Sequence, residues 1–282
     1  MFRAALISVF LFGLAAAAQQ APAPAPRPTL GQPAPGEPSP RIAQPPQLSD
    51  EEVIAQATRT AQATIHWEES TTPGLKVQVE LLQKLVEQGH LLAQYHLKVS
   101  GAPHDQPFTL MAWPVTRSEP GAIMDGLAVA QDGTVGCPAN SPGSCVQRYK
   151  GAELRLIYEA GQGEIFRHAL VSADQKARIF FSIVPDPILA SDRACSLEVV
   201  RLSPNFELVL VRGKGFQPGE DLRFHTQSYQ EVHDLPAKAD AKGEFQAQLT
   251  PSVKGRVAGT TDVTVAGKAC TPTISFNWGQ QP

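Results

Sequence analysis

The residues able to do chemistry in this 282-residue chain are few and dispersed. Seven histidines, His66, His90, His96, His104, His168, His225 and His233, are the candidates for proton transfer and metal ligation. No two are spaced i, i+2, so no strand would set a histidine pair side by side on one face. The nearest pattern is a spacing of eight, His96 with His104 and His225 with His233, which is no recognised ligand spacing. The chain contains no G-x-S-x-G, H-E-x-x-H, Walker loop, Rossmann fingerprint or D-x-D-x-D-G calcium loop. Gly213-Lys214-Gly215 precedes a strand pattern rather than a helix and reads as a turn. Asp186 and Asp192 read as solvated residues of a connection. The expectation is a non-enzymatic protein without cofactor or metal.

Four cysteines, Cys137, Cys145, Cys195 and Cys270, carry the remaining chemistry. No C-x-x-C spacing favours zinc, and an even count favours disulfides. The preferred pairing is Cys137–Cys145 and Cys195–Cys270, with buried thiols or cross-domain pairing as the alternatives. The first bridge would close Cys-Pro-Ala-Asn-Ser-Pro-Gly-Ser-Cys, a loop between strands, and stabilise it by about 2–3 kcal/mol in the chain-entropy account. Asn140 and Ser141 in that loop, with Tyr149 just beyond, form the candidate binding loop, because rigid scaffolds often carry recognition there. The plainer reading is a stapled connection. For sugar binding, Tyr149, Tyr158 and Tyr229 fall near loops, whereas Trp113 and Trp278 fall in strand patterns and read as core.

The elements that would position these residues are mostly strands. Residues 48–66 are the exception: Ser49 and Glu52 make a capping box, and Val53, Ala57, Ala61 and Ile65 recur every four residues, predicting one short amphipathic helix. Residues 75–90 mix strand alternation (Leu75, Val77, Val79, Leu81) with helical spacing (Leu81, Leu82, Leu85, Val86), predicting a strand followed by a short helix or bend. From residue 91 short alternating runs with turn signals every 8–12 residues predict a β-sandwich over 91–194. A second over 195–282 would have its first and last strands tied by Cys195–Cys270, a closure of ~76 residues worth roughly 4–5 kcal/mol.

In that second region, Val211-Arg212-Gly213-Lys214-Gly215-Phe216-Gln217-Pro218-Gly219-Glu220-Asp221-Leu222 resembles a conserved segment of bacterial immunoglobulin-like surface repeats, including the IPT/TIG group. Asp240-Ala241-Lys242-Gly243-Glu244-Phe245 is similar to their hairpin turn, and Gly259 to Val265 to their penultimate strand. The resemblance implies a Greek-key sandwich of about seven strands over the C-terminal third, and the terminal disulfide departs from many such repeats. Val99 to Phe108 and Gln131 to Val135 echo the first two segments, suggesting that 91–194 is a diverged copy. The expected fold class is therefore mainly β: tandem immunoglobulin-like sandwiches.

Residues 1–18, with Arg3 ahead of an apolar run and Ala16-Ala17-Ala18, read as a cleaved secretory signal. Residues 19–47 contain ten prolines and read as an extended tether without a core. Without the signal the chain keeps 23 basic and 27 acidic residues, a net charge of −4, and no basic stripe. Nucleic acid is thus a poor partner. No later stretch is apolar enough to span a membrane. The function expected is an exported, periplasmic or extracellular binding or scaffold protein of the cell envelope, recognising an envelope protein or polysaccharide through loops or sheet edges. The alternatives are a carbohydrate-binding module and a hydrolase without a recognisable motif.

Overall fold

A helix, α1 (Asp50–Ile65), leads through a single 3-10 turn at Glu68–Ser70 into a run of antiparallel strands. The computed structural model describes residues 50–87, 90–203 and 205–279. The expected signal, the Pro-rich tether and Ser49 lie outside them.

The first sandwich is built from β1 (Lys76–Glu87), β2 (His90–Ser100), β3 (Phe108–Pro114), β4 (Gly121–Val129), β5 (Val135–Gly136), a one-turn helix α2 (Val146–Tyr149), β6 (Arg155–Ala160), β7 (Phe166–Ser172) and β8 (Arg178–Ile183). One sheet has the order β1-β2-β6 and the other β5-β4-β3-β7-β8. Alternation places Ala93, Tyr95, Leu97 and Val99 of β2 in the core opposite Phe108, Leu110, Leu170 and Ile179. The stretch with mixed spacing, 81–86, is strand and not helix. A bulge between Leu81 and Gln83 shifts the register against β2, which is why strand alternation breaks into apparent helical spacing there.

The second sandwich follows as β9 (Ile188–Asp192), β10 (Cys195–Arg201), β11 (Val209–Lys214), β12 (Asp221–Ser228), β13 (Glu231–Lys238), β14 (Phe245–Leu249), β15 (Ala258–Ala266) and β16 (Thr273–Gly279). Its sheets run β14-β11-β10-β9 and β13-β12-β15-β16. Cys195 bridges to Cys270, and Cys137 to Cys145. The motif residues explain themselves physically. The buried Glu220 carboxylate accepts the backbone N–H groups of Gln217 and Lys268, tying the β11–β12 turn to the loop before β16. Asp240 accepts the N–H groups of Lys242 and Glu244, closing the turn before β14. Gly243 in that turn, at φ +77°, accepts the N–H of Phe216 on its carbonyl.

The two sandwiches share one strand order. β4-β3-β7-β8 matches β13-β12-β15-β16, and β1-β2 matches β10-β11. The acidic-glycine turn recurs too: Asp132 accepts the Thr134 N–H, and Gly133 at φ +88° accepts the N–H of Val99. Helix α1 fills the angle between them. Ala61, with Ile65 beside it, packs on Val115 and Ile165 of the first sandwich and on Val200, Leu202, Leu208 and Leu210 of the second. The Arg201–Glu164 ion pair (2.7 Å) and the Arg201 N–H donated to Gly163 (2.7 Å) close the same junction, so helix and sandwiches form one compact unit.

Candidate functional site

The stapled loop lies flat on β4. Ser141 Oγ donates to the Gly126 carbonyl (2.8 Å) and accepts the Gly143 N–H. Asp125 accepts both the N–H (2.7 Å) and the hydroxyl of Ser144, and its carboxyl is held below the ordinary range by those bonds. Tyr149 spends its hydroxyl on the Arg155 carbonyl (2.6 Å). Of the three residues singled out in the sequence, Asn140 alone is exposed, while Ser141 and Tyr149 are half-buried and bonded to backbone. The tyrosines do not share a face: Tyr158 is in the core of the first sandwich, and Tyr229 is exposed on the second beside Arg256. Trp113 and Trp278 are buried.

Histidine chemistry is internal or at the surface of single sheets. His168 Nδ1 donates to the Met111 carbonyl (3.2 Å), so Nε2 accepts the Tyr158 hydroxyl (2.6 Å). Burial pushes His168 down to about 4 and Tyr158 up, so both are neutral at physiological pH. His96 lies between Glu80 and Glu153 on the outer face of β2, and its bond to Glu80 holds that carboxyl below the usual range. His225 bonds Asp234, which Arg223 also holds, through the larger share of the effect, below its ordinary value. Asp186 pairs with Lys84 (3.5 Å) and Asp192 accepts the Thr271 N–H. Among the described residues no group of three or more His, Cys, Asp or Glu is arranged to hold a metal.

The sheet edges differ in how their backbone groups are served. Along β8, the N–H groups of Arg178, Phe180 and Ser182 donate to side chains of Thr72, Thr71 and Glu68, which follow α1. Trp67 anchors that segment, its indole N–H shared between the His168 and Phe181 carbonyls. Along β10, β9 forms a full antiparallel ladder from Cys195↔Asp192 to Val199↔Ile188. β13 is interrupted by Pro236 and carries Glu231, His233, Asp234 and Lys238. β1, the counterpart of β10, is an outer strand of its sheet and pairs only with β2 among the described residues. Its distal half exposes Leu81, Leu82, Leu85 and Val86, the last at 74 %. The outer edge of β1, with these apolar side chains on its two faces, is a template open to a further strand.

No sequence motif marks this edge. Its signal was the run of leucines in Glu80-Leu81-Leu82-Gln83-Lys84-Leu85-Val86 that fits neither period. A second arrangement, a cleft between the sandwiches of about 510 Å³, is walled by Glu68, Glu198, Arg212, Lys214 and Glu244 around Leu189, with Arg212 and Glu198 3.8 Å apart. No protein-family model matches the chain, and no curated protein is significantly similar to it. The class that fold and site define is a tandem β-sandwich protein in which β1 is an outer strand paired, among the described residues, with β2 alone.

Proposed function

We propose that the protein is an exported, non-enzymatic binding or scaffold protein of the cell envelope, and that it takes up an extended segment of a partner protein along β1. One observation carries the reading: the equivalent edge of the second sandwich is covered by β9, whereas the β1 edge is bare and flanked by exposed leucines. The occupant is described by that internal precedent. It is an antiparallel segment of about five residues, free of proline and with alternating apolar side chains. The chain's own residues 19–47 do not fit, because ten prolines leave too few N–H donors for a ladder.

Two disulfides support an oxidising location, and no described helix is long and apolar enough to cross a membrane. The disulfides and the apolar leader in the sequence together favour export. The affiliation of the C-terminal sandwich with the immunoglobulin-like surface repeats rests on the sequence segments 211–222, 240–245 and 259–265. The test is capture from solubilised envelope by the oxidised protein, with Leu85→Lys and Val86→Lys as comparisons. Both positions are exposed, so melting should be unchanged while capture of an envelope protein falls about tenfold or more. Undiminished capture by both variants would remove β1 from the mechanism.

A further inference from the structure

The sheet β14-β11-β10-β9 turns one face away from the core of the second sandwich, and that face changes character along its strands. Val200 and Leu210, paired across β10 and β11, are buried on it in the cluster that Ala61 of α1 completes. Two residues along, the next outward pair is Glu198 and Arg212, and the one after it is Ser196 and Lys214. These charged pairs do not look onto open water. They line the cleft of about 510 Å³ between the sandwiches, to which the first sandwich contributes Ser182 and Val184, and the segment after α1 contributes Glu68.

Register sets the order of the charges. Across the strands one row reads Leu189, Glu198, Arg212, Gln246. Arg212 and Lys214 stand two residues apart on β11, so the cations form a column about 7 Å long. Glu198 lies one strand to one side of that column, about 5 Å away, and Glu244 precedes β14 on the other side. The charges serve one another poorly. The Arg212 and Glu198 side chains are 29 % and 28 % exposed but meet at 3.8 Å, too far for a hydrogen bond. Lys214 and Glu244 make no side-chain hydrogen bond or ion pair among the described residues. Glu68 gives Oε1 to Ser182 and keeps Oε2 free. Leu189 stands beside them at 62 % exposure, with Val184 and Pro187 as further apolar lining. Half-buried groups of both signs with unused hydrogen-bonding capacity, next to an apolar wall in a space of ligand size, call for a ligand that is itself dipolar.

We propose that this cleft binds a short peptide by its free termini. The carboxylate would take charge-assisted hydrogen bonds from Arg212 and Lys214, the ammonium would donate to Glu198 and Glu68, and an apolar side chain would cover Leu189. Two or three extended residues, about 7–10 Å, match the few strand spacings that separate these groups. The site is independent of β1. Its test is ¹H–¹⁵N NMR titration of the oxidised protein with leucyl-leucine, its N-acetyl form, its C-terminal amide and free leucine, up to millimolar concentrations. The dipeptide should move the amides of Glu198, Arg212 and Lys214 saturably, and blocking either terminus should weaken it about tenfold. Lys214→Gln, at an exposed position, should weaken the free dipeptide about tenfold and leave its amide unaffected, with the melting temperature unchanged. Glu198→Gln should weaken the free dipeptide and leave the N-acetyl form unaffected. Leu85→Lys on β1 should bind the dipeptide as the intact protein does, which keeps failure here distinct from failure at the edge. No saturable shifts, shifts located elsewhere, or blocked forms bound as tightly as the free one would overturn the assignment. So would variants that weaken free and blocked forms alike, or leucine bound as tightly as the dipeptide, since the ligand would then not be held as a peptide.

Discussion

His168 and Arg167 are neighbours in β7 with opposite solutions to burial. His168 is neutral, with both ring nitrogens bonded inside the first sandwich. Arg167, 1 % exposed, faces the other way and is charged. Its Nε donates to the Trp113 carbonyl (3.1 Å), Nη1 donates to Thr64 Oγ1 of α1 (2.7 Å), and the guanidinium lies 3.6 Å from the Trp113 ring centroid. Burial brings Arg167 down to about 10, so it stays protonated through the physiological range. The histidine therefore dominates the pH response of this strand. Its folded value of about 4 lies below the ordinary 6.5, so between them the unfolded chain binds a proton that the folded chain refuses. Stability should fall as pH drops through that window, by up to about 3 kcal/mol, and level off below it. Denaturant titrations at pH 7 and pH 4.5 check this, and His168→Gln should lose that part of the slope. An identical pH dependence in the variant would refute the assignment.

At the scale of elements, two glycines with the same backbone angle separate strain from crowding. Gly243 and Gly255 both have φ +77°, but a Cβ on Gly243 would lie 2.2 Å from the Phe216 carbonyl oxygen, whereas one on Gly255 meets nothing within 4 Å. Gly255→Ala should cost about 1 kcal/mol and Gly243→Ala about 3 kcal/mol, read from the midpoints of chemical unfolding. Equal costs would show that the close approach to Phe216 relaxes freely. Gly243 was legible in the sequence because its turn carries an acidic residue and an aromatic at fixed offsets. The alternating strands β2, β12 and β15 were legible for the same kind of reason, and so were both cysteine pairings. β13 was not, because its inward positions include Glu231 and His233, so the period-two signal vanishes. The end of β1 was obscured by its bulge. β9 is short, and nothing local in its sequence announces that it covers an edge. The candidate edge falls in such a place because the bulge between Leu81 and Gln83 breaks the pattern by which strands are read.

At the scale of the whole molecule, α1 is the piece that makes two sandwiches one body. Ala61 is fully buried, and Val200, Leu202, Leu208 and Leu210 are sheltered in its cluster. Deleting residues 48–66 would bare that apolar surface and remove the Thr64 partner of Arg167. Calorimetry should then resolve two transitions where the intact protein shows one, because the shared cooperative interface is gone. A single transition at the original temperature would mean that the Arg201–Glu164 junction suffices.

The Cys195–Cys270 bridge gives the molecule a mechanical property as well. Pulled from its ends, an unfolded but oxidised chain cannot pay out the 75-residue span between those cysteines, so roughly 260 Å of contour stays locked in a loop. Reduction would release that length in one step, and the redox state of the surroundings therefore sets how far the protein stretches before the load passes to whatever it is attached to.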